Sequence, residues 1–297
     1  PERGAQIAID GDLPPTGGLS SSSALAVGCV FALASLWDLQ ATPSELVDLA
    51  VAAERRAAIA GGAMDQTVIA HATPGSALRI DFDPPRLSQV ALPDQFRWVA
   101  AYSGTAAPKG DSAADAYNSF VLASRAAARM LGDDGDQPQL SRVRQTSAAE
   151  RASLPTIDVA AAAQLVDGDD LGLPHEANLN LRVSAEHVLA EAGRVDSAEQ
   201  ALLAGDAAQM GRLMLESHES LRRYGSSTEG LDRLVAAASD SGAHGARVTG
   251  AGFGGWAIAL ADPDTADGVQ AAMERACGGP AFIAEASGGV MWSLSKQ

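Results

Sequence analysis

Three short stretches of this chain combine residue types that could manage a phosphate and a hydroxyl. The first is Pro14-Pro15-Thr16-Gly17-Gly18-Leu19-Ser20-Ser21-Ser22-Ser23. Glycines let the backbone turn and come close to a ligand. A helix N-terminus behind them would add unpaired N–H groups and a partial positive charge, which together make an anion site. Four serine hydroxyls could serve phosphate oxygens or a metal ion. The loop lacks the Gly-Lys-Ser/Thr ending of a Walker A motif, and a plain serine-rich turn with Ser as helix N-cap is the competing reading.

The second stretch is Gly61-Gly62-Ala63-Met64-Asp65-Gln66, which follows a segment carrying Glu54. A carboxylate in a glycine-flanked turn can reach a substrate hydroxyl, and in phosphoryl transfer such a group accepts the proton or orients the nucleophile. A simple helix N-cap is the alternative for Asp65. The third runs from Arg247 to Trp256 (RVTGAGFGGW). Gly250, Gly252 and Gly255 satisfy the G-x-G-x-x-G spacing of dinucleotide folds, but the strand-like WAIAL that follows is the wrong context for one. The turn is either a close-packed corner or a glycine loop facing a substrate, with Gly252 as a substrate-side residue in the second case. The five histidines lack metal-ligand spacing and no serine sits in a G-x-S-x-G elbow, so His-metal and serine-hydrolase chemistry find no support.

The elements that must hold these stretches read as α+β. QIAID at 6–10 alternates like a strand, the Gly/Ser loop follows, and ALAVGCVFALASLW is expected to be a buried helix. Thr42, Pro43 and Glu45 mark the start of the next helix, with Gly61 and Gly62 beyond its end. Strands are expected at 77–82 and 96–102, then helices over 113–131, 180–192, 197–204 and 209–223. Ser226 and Glu229 are expected to box the next helix. ARVTG, WAIAL, AFIAEA and VMWSL close the chain as β-type sequence around a single helix. The expected division is 1–97 and 98–297.

In this order and spacing the three stretches resemble the signature of the galactokinase/homoserine kinase/mevalonate kinase/phosphomevalonate kinase (GHMP) superfamily. GGAMDQ, HVLAEAGRV at 187–195, LMLESHESLRRYG at 213–225 and RVTGAGFGGWAIAL resemble galactokinases within it. The resemblance implies the two-domain GHMP kinase fold: a ribosomal-protein-S5-like N-terminal domain, incomplete in these residues, and a ferredoxin-like C-terminal domain. It further implies transfer of the ATP γ-phosphate to the anomeric hydroxyl of a galactose-type sugar, with Mg²⁺. Thr16, Gly17, Gly18, Leu19, Ser20, Ser21 and Ser22 resemble the ATP-phosphate loop. Ser22 and Glu54 resemble the Mg²⁺ ligands, Asp65 the catalytic aspartate, and Tyr117 a sugar-contacting tyrosine.

Departures from the pattern are specific. Thr16 stands where glycine is usual, Ser23 where alanine is usual, Ala26 for glutamate and Trp256 for a small residue. The spacing from Glu54 to Asp65 is one residue shorter. The segment leading to Tyr117 is longer, and the paired arginines expected after it are missing. A different acceptor (galacturonate, arabinose or fucose) and a non-catalytic sugar sensor are the alternatives these changes leave. The N-terminal Gly-Glu-His-Thr-Asp-Tyr sugar-binding run of the family does not occur in these residues, so the chain is expected to begin inside a domain.

Bulk properties agree with a small-molecule enzyme. The 297 residues are 46% hydrophobic, enough for two modest cores. A net charge of −16 repels polyanions, which argues against nucleic acid and anionic membranes as partners. The longest apolar run falls short of the ~20 residues a membrane span needs. Cys29 and Cys277 sit in apolar or small-residue runs, which fits a reducing compartment, and cytoplasm is the expected location. Expected partners are ATP and a monosaccharide, with the chain a monomer or weak homodimer.

Overall fold

The computed structural model describes residues 4–14, 18–56, 62–106 and 111–291, without the side chains of 111–113. Expectations that fall on Thr16, Gly17 and Gly61, and on residues 292–294 of VMWSL, lie outside the described residues. The first helix, α1 (Ser21–Leu36), begins directly after the serine loop. It buries Ser23, Val27, Phe31 and Ala34, spaced as one helical face, against Leu46 and Ala50 of α2 (Pro43–Arg55). Thr42 and Glu45 form the expected capping box: each side chain accepts from the other's backbone N–H, and Pro43 occupies the first turn. Helix α3 (Met64–His71) packs on both, so three helices meet behind the serine loop.

Next come β1 (Ser76–Phe82) and β2 (Pro85–Ala91), an antiparallel hairpin whose turn contains the cis Asp83–Pro84 bond. Arg79 on β1 reaches Asp81, Asp196 and Glu199, tying the hairpin to a long helix described below. Residues 6–10 form no strand. Their alternating pattern is present, but among the described residues no neighbour pairs with them, and Ile7 and Ile9 are exposed. β2 was not expected, and the strand exists because β1 supplies a complete ladder.

The rest of the chain is built on a four-stranded antiparallel sheet. Its strands are β3 (Arg97–Tyr102), β6 (Gly245–Val248), β7 (Trp256–Ala261) and β8 (Ala281–Ala284), in spatial order β6-β7-β3-β8. Helices α9 (Glu229–Asp240) and α10 (Ala266–Cys277) complete a β-α-β-β-α-β, ferredoxin-like order. One sheet face sends Val99, Ala101, Ala257 and Ala259 toward α9 and α10, while the other sends Trp98, Ile258 and Leu260 toward the β1–β2 hairpin and Met214.

Between β3 and β6 the chain makes a helical layer. It comprises α4 (Asp111–Met130), a 3₁₀ turn at Leu140–Val143, α5 (Ala148–Ala152), β4 (Thr156–Asp158), α6 (Val159–Leu165), β5 (Asn178–Asn180), α7 (Leu181–Ala204) and α8 (Ala207–Tyr224). The two helices expected at 180–192 and 197–204 are one: Gly193 weakens helix by about 1 kcal/mol but does not break it. α8 lies close on β6 because Gly211 and Gly245 face each other, and a Cβ on either would come within 2.1 Å of backbone. Thr228, not Ser226, caps α9, its hydroxyl accepting from the Leu231 N–H. No helix among the described residues is long and apolar enough to cross a membrane.

Candidate active site

The N-terminus of α1 is the first component. Ser20 precedes the helix in a left-handed conformation (φ 55°, ψ 31°), and its side chain does not cap the helix. The N–H groups of the first turn therefore lack the usual hydroxyl partner and carry the helix's partial positive charge outward, as an anion site requires. A non-glycine residue in this conformation costs roughly 1–2 kcal/mol, so something must hold it. The Asp65 carboxylate accepts a hydrogen bond from the Ser20 side chain, one contact that favours it.

Asp65 lies in the first turn of α3, and the N-cap position there belongs to Ala63. Burial pushes its carboxyl pKa upward, the Ser20 hydrogen bond draws it partly back, and the charge of Glu54 adds to the rise. A carboxylate so placed is a better proton acceptor than a free surface Asp. Glu54, near the end of α2, accepts from Ser23 Oγ at 3.2 Å and from the Gln66 side-chain amide. Thus Ser20, Ser23, Glu54, Asp65 and Gln66 converge from α1, α2 and α3. Ser22, the hydroxyl expected to meet a metal beside Glu54, is exposed on the first turn of α1. It is Ser23, one position on, that bonds the carboxylate.

The glycine turn at 250–255 supplies the opposite wall. Gly250, Gly252, Gly254 and Gly255 all have positive φ, as does Phe253 at 62°. A Cβ on Gly250 would stand 3.3 Å from the Gly18 carbonyl oxygen, so the two loops touch. Gly252 is buried against Ser226, where an added Cβ would come within 2.1 Å of the carbonyl oxygen. The Phe253 N–H donates to that same carbonyl at 2.6 Å. Strand β3 is stitched to the turn as well: Ser103 N–H donates to Gly255, and Gly255 N–H donates to Thr105, both at 2.8 Å.

Behind the turn lies a feature the sequence did not announce. Phe253, Phe120 of α4, Tyr224 at the end of α8 and His187 of α7 stack nearly parallel, with successive ring centroids 5.5, 4.0 and 4.3 Å apart. The Tyr224 hydroxyl bonds Ser124 and Ser184, and His187 Nδ1 lies 2.8 Å from Ser220 Oγ. Burial drives the His187 pKa down to about 4 against the opposing pull of Glu191, so the ring is neutral at physiological pH. Tyr117, Phe120, His187, Tyr224, Gly250 and Ala251 line a cavity of about 820 Å³, so Tyr117 is brought to the glycine turn. Asp65 is not part of that lining. It reaches the turn through the Ser20–Leu19–Gly18 segment.

The chain carries the matching family signature at both ends. Residues 2–73 match the GHMP kinases N-terminal domain and residues 198–279 match GHMP kinases C terminal. The chain belongs to the GHMP kinases. Among curated relatives of this GHMP kinase, galactokinase from Chloroflexus aggregans is 35% identical over 277 residues, covering 92% of this chain and 65% of the relative. Galactokinase from a Roseiflexus species is 36% identical over 262 residues, covering 87% and 61%. The chain thus spans just under two thirds of the length of these relatives. The crystal structure of Lactococcus lactis galactokinase complexed with galactose superposes with a TM-score of 0.75 at 27% identity, over 94% of this chain and 68% of that one. The L. major mevalonate kinase structure, at 20% identity and a TM-score of 0.56, shares the fold.

Proposed function

We propose that this chain carries the phosphate loop and catalytic carboxylate of an enzyme that transfers the γ-phosphate of ATP to the anomeric hydroxyl of a galactose-type sugar. The observation that carries the reading is the direct contact of Asp65 with the serine loop. The residue suited to take the sugar's proton, in the first turn of α3, lies against the loop suited to hold the phosphates. The similarity to galactokinases, one of them holding galactose, supports this choice of acceptor. Division of the chain at 97/98 is part of the same proposal, supported by β3 being the first strand of the four-stranded sheet.

In this mechanism the first-turn N–H groups of α1 and the backbone from Gly17 to Ser22 receive the nucleotide phosphates, with Thr16 and Leu19 as flanking contacts. Asp65, its pKa raised by burial, accepts the proton of the attacking hydroxyl while the Ser20 hydroxyl fixes its direction. Tyr117 and Gly252 belong to the sugar side, Tyr117 through its place in the cavity. The oxygens of Glu54 and Ser22 fit Mg²⁺, a hard cation that takes carboxylate and hydroxyl ligands. Gln66 Oε1, buried with no hydrogen-bond partner among the described residues, adds a further oxygen of the right kind. When bound with ATP, Mg²⁺ supplies neutralisation of phosphate charge.

The test measures ADP release and sugar 1-phosphate on this chain joined to the part of the Chloroflexus aggregans relative that the match leaves out. Asp65→Asn should lower turnover with galactose by about 10²–10⁴-fold, with ATP still bound. Unchanged turnover would end the assignment.

A further inference from the structure

In the mechanism above Gln66 supplies only an unpaired oxygen, yet it is enclosed as deeply as Ser23 beside it. It is 5% exposed, although it follows Asp65 directly. Its Nε2 donates to Ser23 Oγ at 3.3 Å and to Glu54 Oε2, while Ser23 Oγ donates to Glu54 Oε1 at 3.2 Å. Two neutral groups from two different helices therefore fix both oxygens of one carboxylate. The remaining polar atom, Gln66 Oε1, is buried with no hydrogen-bond partner among the described residues. An acceptor left so costs about 1–3 kcal/mol, which core packing alone would remove by placing Leu or Met here.

The physical logic is electrostatic. A carboxamide beside a lone carboxylate must present its NH₂ side and leave its oxygen turned away. Held in this way, the Glu54 carboxylate keeps one orientation toward a divalent cation, a hard ion that carboxylate oxygens suit. Ser23 strengthens the arrangement by a second bond to the same carboxylate.

We propose that Gln66 is a positioning residue for a divalent-cation site, acting through Glu54, with Ser23 as a second support. The inference rests on the reading of Glu54 as a cation ligand and adds to it the pair that orients the ligand. Residues that orient a metal ligand in this way typically cost 10–100-fold in metal affinity when replaced, which is about the loss expected here.

The experiment is Mn²⁺ titration of the 297-residue chain followed by the paramagnetic resonance of free Mn²⁺, with a non-hydrolysable ATP analogue present. Nucleotide affinity without metal is measured in parallel. Gln66→Met is expected to weaken Mn²⁺ binding about tenfold or more. Metal-free nucleotide affinity should stay where it was. Ser23→Ala, the smaller change, should show a loss of the same kind but lesser size, and it decides the matter if Gln66→Met does not fold. Wild-type Mn²⁺ affinity in Gln66→Met, or in Ser23→Ala where that variant decides, overturns the proposal. Glu54→Gln separates the two layers. If it keeps Mn²⁺, the cation site itself is wrong. If it loses Mn²⁺ while Gln66→Met keeps it, only the positioning role falls.

Discussion

The two loops that face each other at the candidate site are held by opposite means. The glycine turn at 250–255 is built into the interior: Gly252, Gly254 and Gly255 are buried, Phe253 ends a four-ring stack, and three backbone hydrogen bonds fix it to Ser226 and to β3. The serine loop stands at the end of a helix whose outer face leaves Leu25 and Leu36 exposed, and Ser20 is secured by Asp65 itself. One wall is fixed by packing, the other by the groups that would do the chemistry. Damage to the first should therefore read out as lost stability, and damage to the second as lost binding or turnover with the fold intact.

The strongest way to break that contrast is Gly252→Ala. The new Cβ would stand 2.1 Å from the Ser226 carbonyl oxygen at φ +85°, so a loss of about 4 kcal/mol or more in denaturant unfolding is expected. Phe120→Leu removes the ring between Phe253 and Tyr224 and should cost about 1–2 kcal/mol, seen as a lower Tm. His187 sharpens the picture through pH. Its folded pKa of about 4 lies below its ordinary value of 6.5, so between those values the unfolded chain binds the extra proton. Stability should fall as pH drops from about 6.5 toward 4, and His187→Phe, which keeps a ring in the stack, should flatten that limb in a pH series of melting curves. The smallest effect has the opposite sign: Gly28→Ala in α1 meets nothing within 4 Å and should stabilise the serine-loop side by about 0.5–1 kcal/mol.

These same differences mark what could be read in the sequence. Local signals carried through: Thr42 and Glu45 cap α2 as written, and the strand-like runs at 77–82 and 96–102 became β1 and β3. Signals that needed a partner did not. The alternation at 6–10 found no pairing strand, and Pro85–Ala91 became a strand only because β1 lay beside it. In the site, the residue types were visible but their phase was not. Four serines in a row look alike until the helix sets their directions, and the helix turns Ser23 inward to Glu54. Ser226 looked like a cap and instead presents its carbonyl to Phe253, because Thr228 starts the helix. The stack of Phe253, Phe120, Tyr224 and His187 is assembled from four distant segments, and no spacing rule could have joined them.

Trp256 gives the fixed wall an optical signature. It follows the last glycine of the turn, is 1% exposed, and lies with its ring centroid 5.5 Å from Tyr102 and 5.4 Å from Phe282. An indole so shielded from solvent emits at short wavelength. With Trp37, Trp98 and Trp292 replaced by Phe, quenching or a red shift of that emission would report loosening at the base of the turn without any added label.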